Sequence, residues 1–183
     1  MDRIEDPKKA DNKTFKAHFE CLNRGGNNVL SLDHFLVGYD KPLAEVTLDI
    51  KRGDRICIMG DNGTGKSTLL KTIIDEVKPL GGYMMFGHQI DYAYFDQNLA
   101  NFNTNNTVLE ELWNDHQDLG MYEIRSVLGA FMFTSDEVFK EVSVLSGGEK
   151  VRLSLAKLMM KKANLLILDE PTNHLDIVSK EAL

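Results

Sequence analysis

The sequence lacks long apolar runs and is poor in cysteine. Its apolar stretches, such as residues 165–168, fall far short of the roughly 18 residues that a membrane-spanning helix needs. Residues 1–9 are mostly charged, which is not the pattern of a secretory signal. Cys21 and Cys57 both lie in strand-like alternation, which predicts buried free thiols rather than a disulfide scaffold. Together these features predict a protein of the reducing cytoplasm with no transmembrane segment.

An excess of positive charge is also absent, since 28 acidic residues outnumber 21 basic ones and the net charge is −7. Broad electrostatic coating of nucleic acid depends on clustered Lys and Arg, so we expect no DNA partner. A local basic patch on one predicted helix stays open as a contact to RNA phosphate, although a solvated helix face is favoured. Its members are Lys150, Arg152, Lys157, Lys161 and Lys162. The five histidines show no metal-ligand spacing and predict no metal site.

Residues 60–67 (GDNGTGKS) fit the pattern GxxxxGK followed by Ser, between a predicted strand at 54–59 and a predicted amphipathic helix. Binding a triphosphate requires backbone N–H groups that converge without side chains in the way, which the glycines allow. Lys66 adds a full positive charge, and the Ser67 hydroxyl can hold magnesium. The residues predicted to bind nucleotide are Gly60, Asp61, Asn62, Gly63, Thr64, Gly65, Lys66, Ser67 and Thr68.

A buried strand predicted at residues 165–168 ends in Asp169 and Glu170. Open α/β sheets bind ligands at the carboxyl ends of their strands, so both acids are expected at the ligand. We expect Asp169 to hold magnesium and Glu170 to polarise the water that attacks the γ-phosphate. The alternative is a solvated turn after a strand.

A second glycine-rich point, residues 145–149 (LSGGE), opens a predicted helix. Ser146, Gly147, Gly148 and Glu149 would form an anion-binding helix N-terminus, but these residues alone equally fit a capped helix with no ligand. Because one phosphate chain does not need two such sites, the economical explanation is that two domains sandwich one nucleotide.

The chain-wide pattern predicts an α/β fold: a phosphate-loop core with a largely parallel sheet, an N-terminal antiparallel β subdomain and a small helical subdomain at about 98–144. Alternating residues 15–21 and the extended run 29–36 predict a hairpin. Residues 1–13 lack periodicity and indicate the end of a linker, which leaves 14–183 as the folded domain.

These motifs together resemble the nucleotide-binding domain of ATP-binding-cassette ATPases: residues 60–67 match its phosphate loop, 145–149 its signature sequence and 165–170 its acid-ended strand. The resemblance implies that Tyr39 stacks on adenine, that Gln97 contacts magnesium and the attacking water, and that Asp176 lies in a loop that communicates across the cassette dimer. It implies ATP and Mg²⁺ as ligands and ATP hydrolysis as the activity.

Residues 146–157 and 169–176 (DEPTNHLD) are similar to the F subfamily. Transport cassettes, in contrast, usually carry Ser-Ala or Ser-Gly in place of Asn173 and His174. Members of that subfamily carry two cassettes in one polypeptide and act on ribosomes in translation. The resemblance therefore implies a second cassette upstream, with residues 1–13 as the end of the linker, and the ribosome as a partner.

One departure from the family pattern is the switch histidine, which lies some tens of residues after the catalytic Glu on a further strand. His174 belongs to a different stretch. In the family topology that further strand lies between the strands at 54–59 and 165–168, so we expect a domain that is incomplete at its C-terminus, with weak or no activity by itself.

Three functions are compatible with the sequence. The first is an ATPase that closes and opens a two-cassette clamp on the ribosome, and the second is the energy subunit of a membrane transporter. The third is a nucleotide-gated binding module that scarcely hydrolyses ATP.

Overall fold

The N-terminal sheet is antiparallel and is centred on β1 (Asn28–Gly38), in a computed structural model that describes residues 19–96 and 104–171. β1 pairs with β2 (Pro42–Lys51) on one side and β3 (Gly81–Phe86) on the other. The predicted antiparallel subdomain is confirmed, but the hairpin prediction is wrong about the partner. Residues 19–21 are not in a strand, and 15–18 lie outside the described residues. The two neighbours of β1 are β2 and β3 instead.

Helix α1 (Lys66–Ile73) packs on the inner face of this sheet. Its buried Leu69 and Ile73 contact a cluster that contains Leu32 and Phe35 of β1. The 3.6-residue period places these two side chains on one face of α1, and Lys66 and Ser67 lie in its first turn. This first core therefore holds the beginning of α1 at a fixed height above the sheet.

The parallel pair β4 (Tyr92–Phe95) and β5 (Leu165–Leu168) forms a second sheet that is covered on both faces. Tyr94 and Ile167 belong to the first core with α1, whereas Ala93 and Phe95 belong to a second core made mainly by helices. This alternation follows from the two-residue period of a strand, and parallel strands are characteristically buried on both faces. β5 ends at Leu168, directly before Asp169.

The helical part contains α2 (Val108–Trp113), α3 (Met121–Ala130), two short 3₁₀ helices (Glu137–Phe139 and Val142–Val144) and α4 (Gly147–Met160). Thr107 and Glu110 form a capping box that begins α2, and Ser146 and Glu149 form another that begins α4. Fully buried side chains from α2, α3 and α4 make the second core continuous with β4. The predicted α/β class with a helical subdomain is confirmed.

Residues 54–59 do not form the buried strand that their composition predicts. Ile56 and Ile58 are 47% and 40% exposed, and Cys57 is exposed, so the prediction of its burial is wrong, as it is for Cys21. A strand forms only when a neighbour pairs with its backbone groups, and among the described residues no strand pairs with 54–59. A cavity of about 470 Å³ lies between this segment, α1 and β5.

The helices of the described ranges are all too short or too polar to cross a membrane.

Candidate nucleotide-binding site

The phosphate loop, residues 60–67, turns directly into α1 through two glycines with left-handed backbone. Gly63 has φ +82° and Gly65, the N-cap of α1, has φ +94°. A side chain at either position would be strained, and a Cβ at Gly65 would lie 3.2 Å from Cβ of Leu43. These two positions therefore require glycine for the turn itself, and the turn aims the free N–H groups at the start of α1 into the loop.

The Lys66 side chain folds back over the loop. Its ammonium group donates hydrogen bonds to the carbonyl oxygens of Gly60 and Asp61, each at 2.8 Å. The Thr64 hydroxyl also donates to the Asp61 carbonyl, at 2.9 Å. The loop is thus closed on itself, with a positive charge held at its centre, where an anion would be attracted.

Ser67 and Asp169 meet although they are 102 residues apart in the chain. The Ser67 hydroxyl donates to Oδ1 of Asp169 at 3.1 Å, and Asp169 is only 9% exposed. A hydroxyl and a carboxylate are the oxygen ligands that Mg²⁺ prefers, so the residues present fit a magnesium site. This contact joins the phosphate loop to the end of β5.

Tyr94 is a neighbour of this site that the sequence does not predict. Its hydroxyl donates to Oδ2 of Asp169 at 3.4 Å from the adjacent strand β4. Burial, followed by the nearby carboxylates of Asp96 and Asp169, raises the pKa of Tyr94 well above its usual range, so the hydroxyl keeps its proton. The sequence offers one signal that could have found Tyr94: it lies three residues before Gln97, on the strand that leads to this predicted magnesium contact.

Glu170 follows Asp169 with φ +48°, a left-handed backbone that is uncommon for residues other than glycine. Such strained conformations cluster at functional sites, where the surrounding structure compensates for them. The side chain is exposed at the carboxyl end of β5 and also borders the cavity beside α1, along with Lys66 and Asp169. The geometry thus brings Lys66, Ser67, Asp169 and Glu170 to one edge.

The signature residues lie at the start of α4 and bind each other. The Ser146 hydroxyl donates to Oε2 of Glu149 at 2.6 Å, and the Ser146 backbone N–H donates to the same oxygen at 2.8 Å. Burial alone would raise the pKa of Glu149, but hydrogen bonds from Ser146 and Lys140 together lower it. Within the described ranges, no hydrogen bond joins these residues to the phosphate loop.

The three positions assigned by resemblance alone have different outcomes. Tyr39 is 63% exposed in the loop between β1 and β2, four residues before the Leu43 that approaches Gly65. Gln97 and Asp176 lie outside the described residues, so their predicted roles stay predictions. Of the predicted basic face, Lys157 is not solvated, because it lies 2.7 Å from Glu111 and 3.1 Å from Asp115.

Known proteins resemble this chain in both sequence and structure. A family model described as ABC transporter matches residues 43–173. The putative ATP-binding protein YdiF of Bacillus subtilis is 47% identical over 94% of this chain and 27% of its own length. The ABC transporter F family member 2 of Arabidopsis thaliana is 41% identical over 93% of this chain and 26% of its own length. The chain thus spans about a quarter of the length of these curated relatives.

Among solved structures, a putative ABC transporter ATP-binding protein from Pyrococcus furiosus superimposes with a TM-score of 0.69. It is 27% identical, and the match covers 84% of this chain and 80% of that one.

Proposed function

This chain belongs to the ATP-binding-cassette family of ATPases, and we propose that it binds ATP with Mg²⁺ and hydrolyses it. The observation that carries the proposal is the 3.1 Å hydrogen bond between Ser67 and Asp169, which joins the phosphate loop to the acid-ended strand. Lys66 stabilises charge on the β- and γ-phosphates, and the N–H groups of the loop bind the same oxygens. Tyr39 is the proposed adenine contact, because its ring is exposed and it lies four residues before Leu43, which approaches Gly65 of the phosphate loop.

Ser67 and Asp169 are the proposed magnesium ligands within the described residues, with Gln97 as a further one. When bound, magnesium neutralises charge on the β- and γ-phosphate oxygens. Glu170 accepts a proton from the attacking water, a role that requires an ionised carboxylate at the γ-phosphate. Its side chain is exposed at the carboxyl end of β5.

The active arrangement is proposed to be a sandwich in which this cassette and a second one share each nucleotide. The start of α4 is exposed at Ser146 and Gly147, as a surface that binds a second cassette's nucleotide requires. Ser146, Gly147, Gly148 and Glu149 contribute this surface, and Asp176 communicates across the dimer. In the F-subfamily arrangement, the second cassette lies in the same polypeptide, and residues 1–13 end the linker.

The proposed cassette domain comprises residues 14–183, with its helical part at about 98–144. We propose that one further strand, from sequence beyond it, completes this domain. The cavity of about 470 Å³ beside β5 has apolar walls that include Ile56, Ile58 and Ile167 and supports this proposal. A strand there would pair with 54–59 and with the edge of β5 that no strand of the described ranges occupies. The 183-residue chain alone would then be weakly active or inactive.

A longer chain that includes this strand is expected to hydrolyse ATP faster than the 183-residue chain and to protect Cys57 from thiol reagents. Cys57 is exposed and borders the cavity, so a strand placed there covers it. Cys21, which is also exposed, is the internal control and should react equally in both chains. Equal ATPase rates together with equal Cys57 labelling would contradict the proposal.

The partner is proposed to be the ribosome in the cytoplasm, with ATP binding closing the two cassettes on it. We expect the full-length parent carrying Glu170→Gln to pellet with purified ribosomes when ATP is present and to remain in the supernatant without it. Adding Lys66→Ala to that variant is the matched control and should remove the ATP dependence. A protein that binds ATP but never pellets would instead favour the energy subunit of a membrane transporter.

A further inference from the structure

Glu111 is a buried carboxylate that the proposed chemistry does not use. It lies on α2 among apolar residues, between Leu109 and Leu112, and is only 8% exposed. An ionised carboxylate in an apolar interior is unfavourable unless its oxygens are paired. The identity of its partners therefore indicates what this side chain is for.

Both carboxylate oxygens of Glu111 accept hydrogen bonds from side chains in other parts of the chain. Oε1 accepts from the Lys157 ammonium at 2.7 Å, while Oε2 accepts from the Thr104 hydroxyl at 3.1 Å and the Asn106 amide at 3.0 Å. Lys157 also contacts Asp115 at 3.1 Å, at the solvent side of the pair. Glu111 is thus the centre of a network that ties three segments together.

These segments are the ones that carry two of the proposed functional regions. Lys157 is on α4, the helix whose first turn contains Ser146. Thr104 and Asn106 belong to the chain that follows Gln97. Glu111 therefore holds residues 104–106 in a fixed relation to α4.

Stability alone does not account for an ion pair at this place. Leu112 of α2 and Leu155 of α4 are already fully buried in the same apolar core. Replacing a buried ion pair by apolar residues is often neutral or stabilising, whereas the pair imposes one geometry. Burial alone would raise the pKa of Glu111, but hydrogen bonds from Lys157, Asn106 and Thr104 outweigh it, and the pKa is lowered overall. The carboxylate is therefore ionised at neutral pH.

We propose that Glu111, acting with Lys157, is a positioning residue for ATP hydrolysis: it fixes residues 104–106 against α4, the helix that Ser146 caps. This inference rests on the proposed ATPase function. It assigns Glu111 no contact with nucleotide. Its loss should therefore slow turnover and leave ATP binding at the phosphate loop nearly unchanged.

The test is Glu111→Gln in the full-length two-cassette parent, assayed well below its melting temperature. A glutamine amide keeps the size of the side chain but loses the charge that holds Lys157. Small misplacements far from the reacting atoms have large effects on rate, so we expect kcat to fall roughly 10-fold while KM for ATP changes by less than about 2-fold.

Glu110→Gln is the matched control, because it makes the same change at the adjacent position of α2. Glu110 is exposed and caps the helix by bonding Thr107, and its side chain makes no hydrogen bond to α4 among the described residues. We expect it to lower the melting temperature without lowering kcat. Equal kcat losses in the two variants, or a kcat for Glu111→Gln within about 2-fold of the wild type, would overturn the inference.

Lys157 provides a second comparison that decides the matter if Glu111→Gln does not fold. Lys157→Arg keeps the charge and should retain most of the turnover, whereas Lys157→Met should lose it with KM again nearly unchanged. Equal kcat values in these two variants would also overturn the inference. A wild-type parent without ATPase activity would instead reject the proposed function, so the two failures are distinguishable.

Discussion

Replacing Glu170 with Gln in the full-length parent is expected to lower ATP turnover by about 10²- to 10⁴-fold and to trap the ATP-bound closed form. The amide cannot accept the proton of the attacking water at neutral pH. Gln and Glu have similar size and the same difficulty with the left-handed backbone at this position, φ +48°, so the comparison isolates the charge. The measurement is steady-state ATPase rate, together with retention of radiolabelled ATP after rapid desalting.

Glu123→Gln is a suitable control for this experiment. Glu123 bonds the Gly120 N–H at the start of α3 and is exposed, so the same chemical change there should leave turnover unaltered. Unchanged turnover in Glu170→Gln would remove Glu170 from the role of general base.

The second large effect is expected for Lys66→Ala, which should weaken ATP binding. Hydrogen bonds to charged groups contribute about 1.5–3 kcal/mol, so the dissociation constant should rise roughly 10- to 100-fold. The Lys66 ammonium already lies within the loop, 2.8 Å from the Gly60 and Asp61 carbonyls, which places its charge where phosphate oxygens would bind. Titration calorimetry with ATP and Mg²⁺ measures the change directly.

Lys78→Ala controls for the loss of one positive charge, because Lys78 is exposed and follows α1 outside the loop. It should bind ATP with wild-type affinity. If Lys66→Ala bound ATP as tightly as Lys78→Ala, the phosphate loop would not be the nucleotide site.

The two variants together separate hydrolysis from gating. An ATPase whose turnover resets the clamp loses function in both. A nucleotide-gated binding module loses function in Lys66→Ala but not in Glu170→Gln, because it requires binding without cleavage. The same two proteins therefore distinguish the first and third functions that the sequence leaves open.

The phosphate loop is predictable from sequence because its chemistry resides in one contiguous stretch. Its glycines, its lysine and the start of α1 are adjacent in the chain, and the turn through Gly63 and Gly65 is determined locally. The end of β5 is similar, since four large apolar residues followed by two acids indicate both the burial and the edge. The fold class follows from similarly local patterns, namely the spacing of apolar residues and the turn residues that separate the predicted elements.

What the sequence does not reveal depends on partners that are distant in the chain. Residues 54–59 have the composition of a strand, yet strand formation requires a neighbour that no local pattern specifies. Nothing in the local sequence singles out Tyr94 or Glu111, because their partners are 75 and 46 residues away. Lys157 reads as part of a solvated basic face for the same reason. Each of these errors concerns a pairing rather than a propensity.

The parallel pair β4–β5 has a mechanical consequence that follows from its two buried faces. Neighbouring residues of β4 belong to different cores, with Tyr94 beside α1 and Phe95 beside the helices. A close-packed interior has little free volume, so a strand cannot shift to suit one core without disturbing the other. We therefore expect the pair to move as one unit between the two cores. Because Asp169 directly follows β5, a displacement of the helical core would be transmitted to this carboxylate.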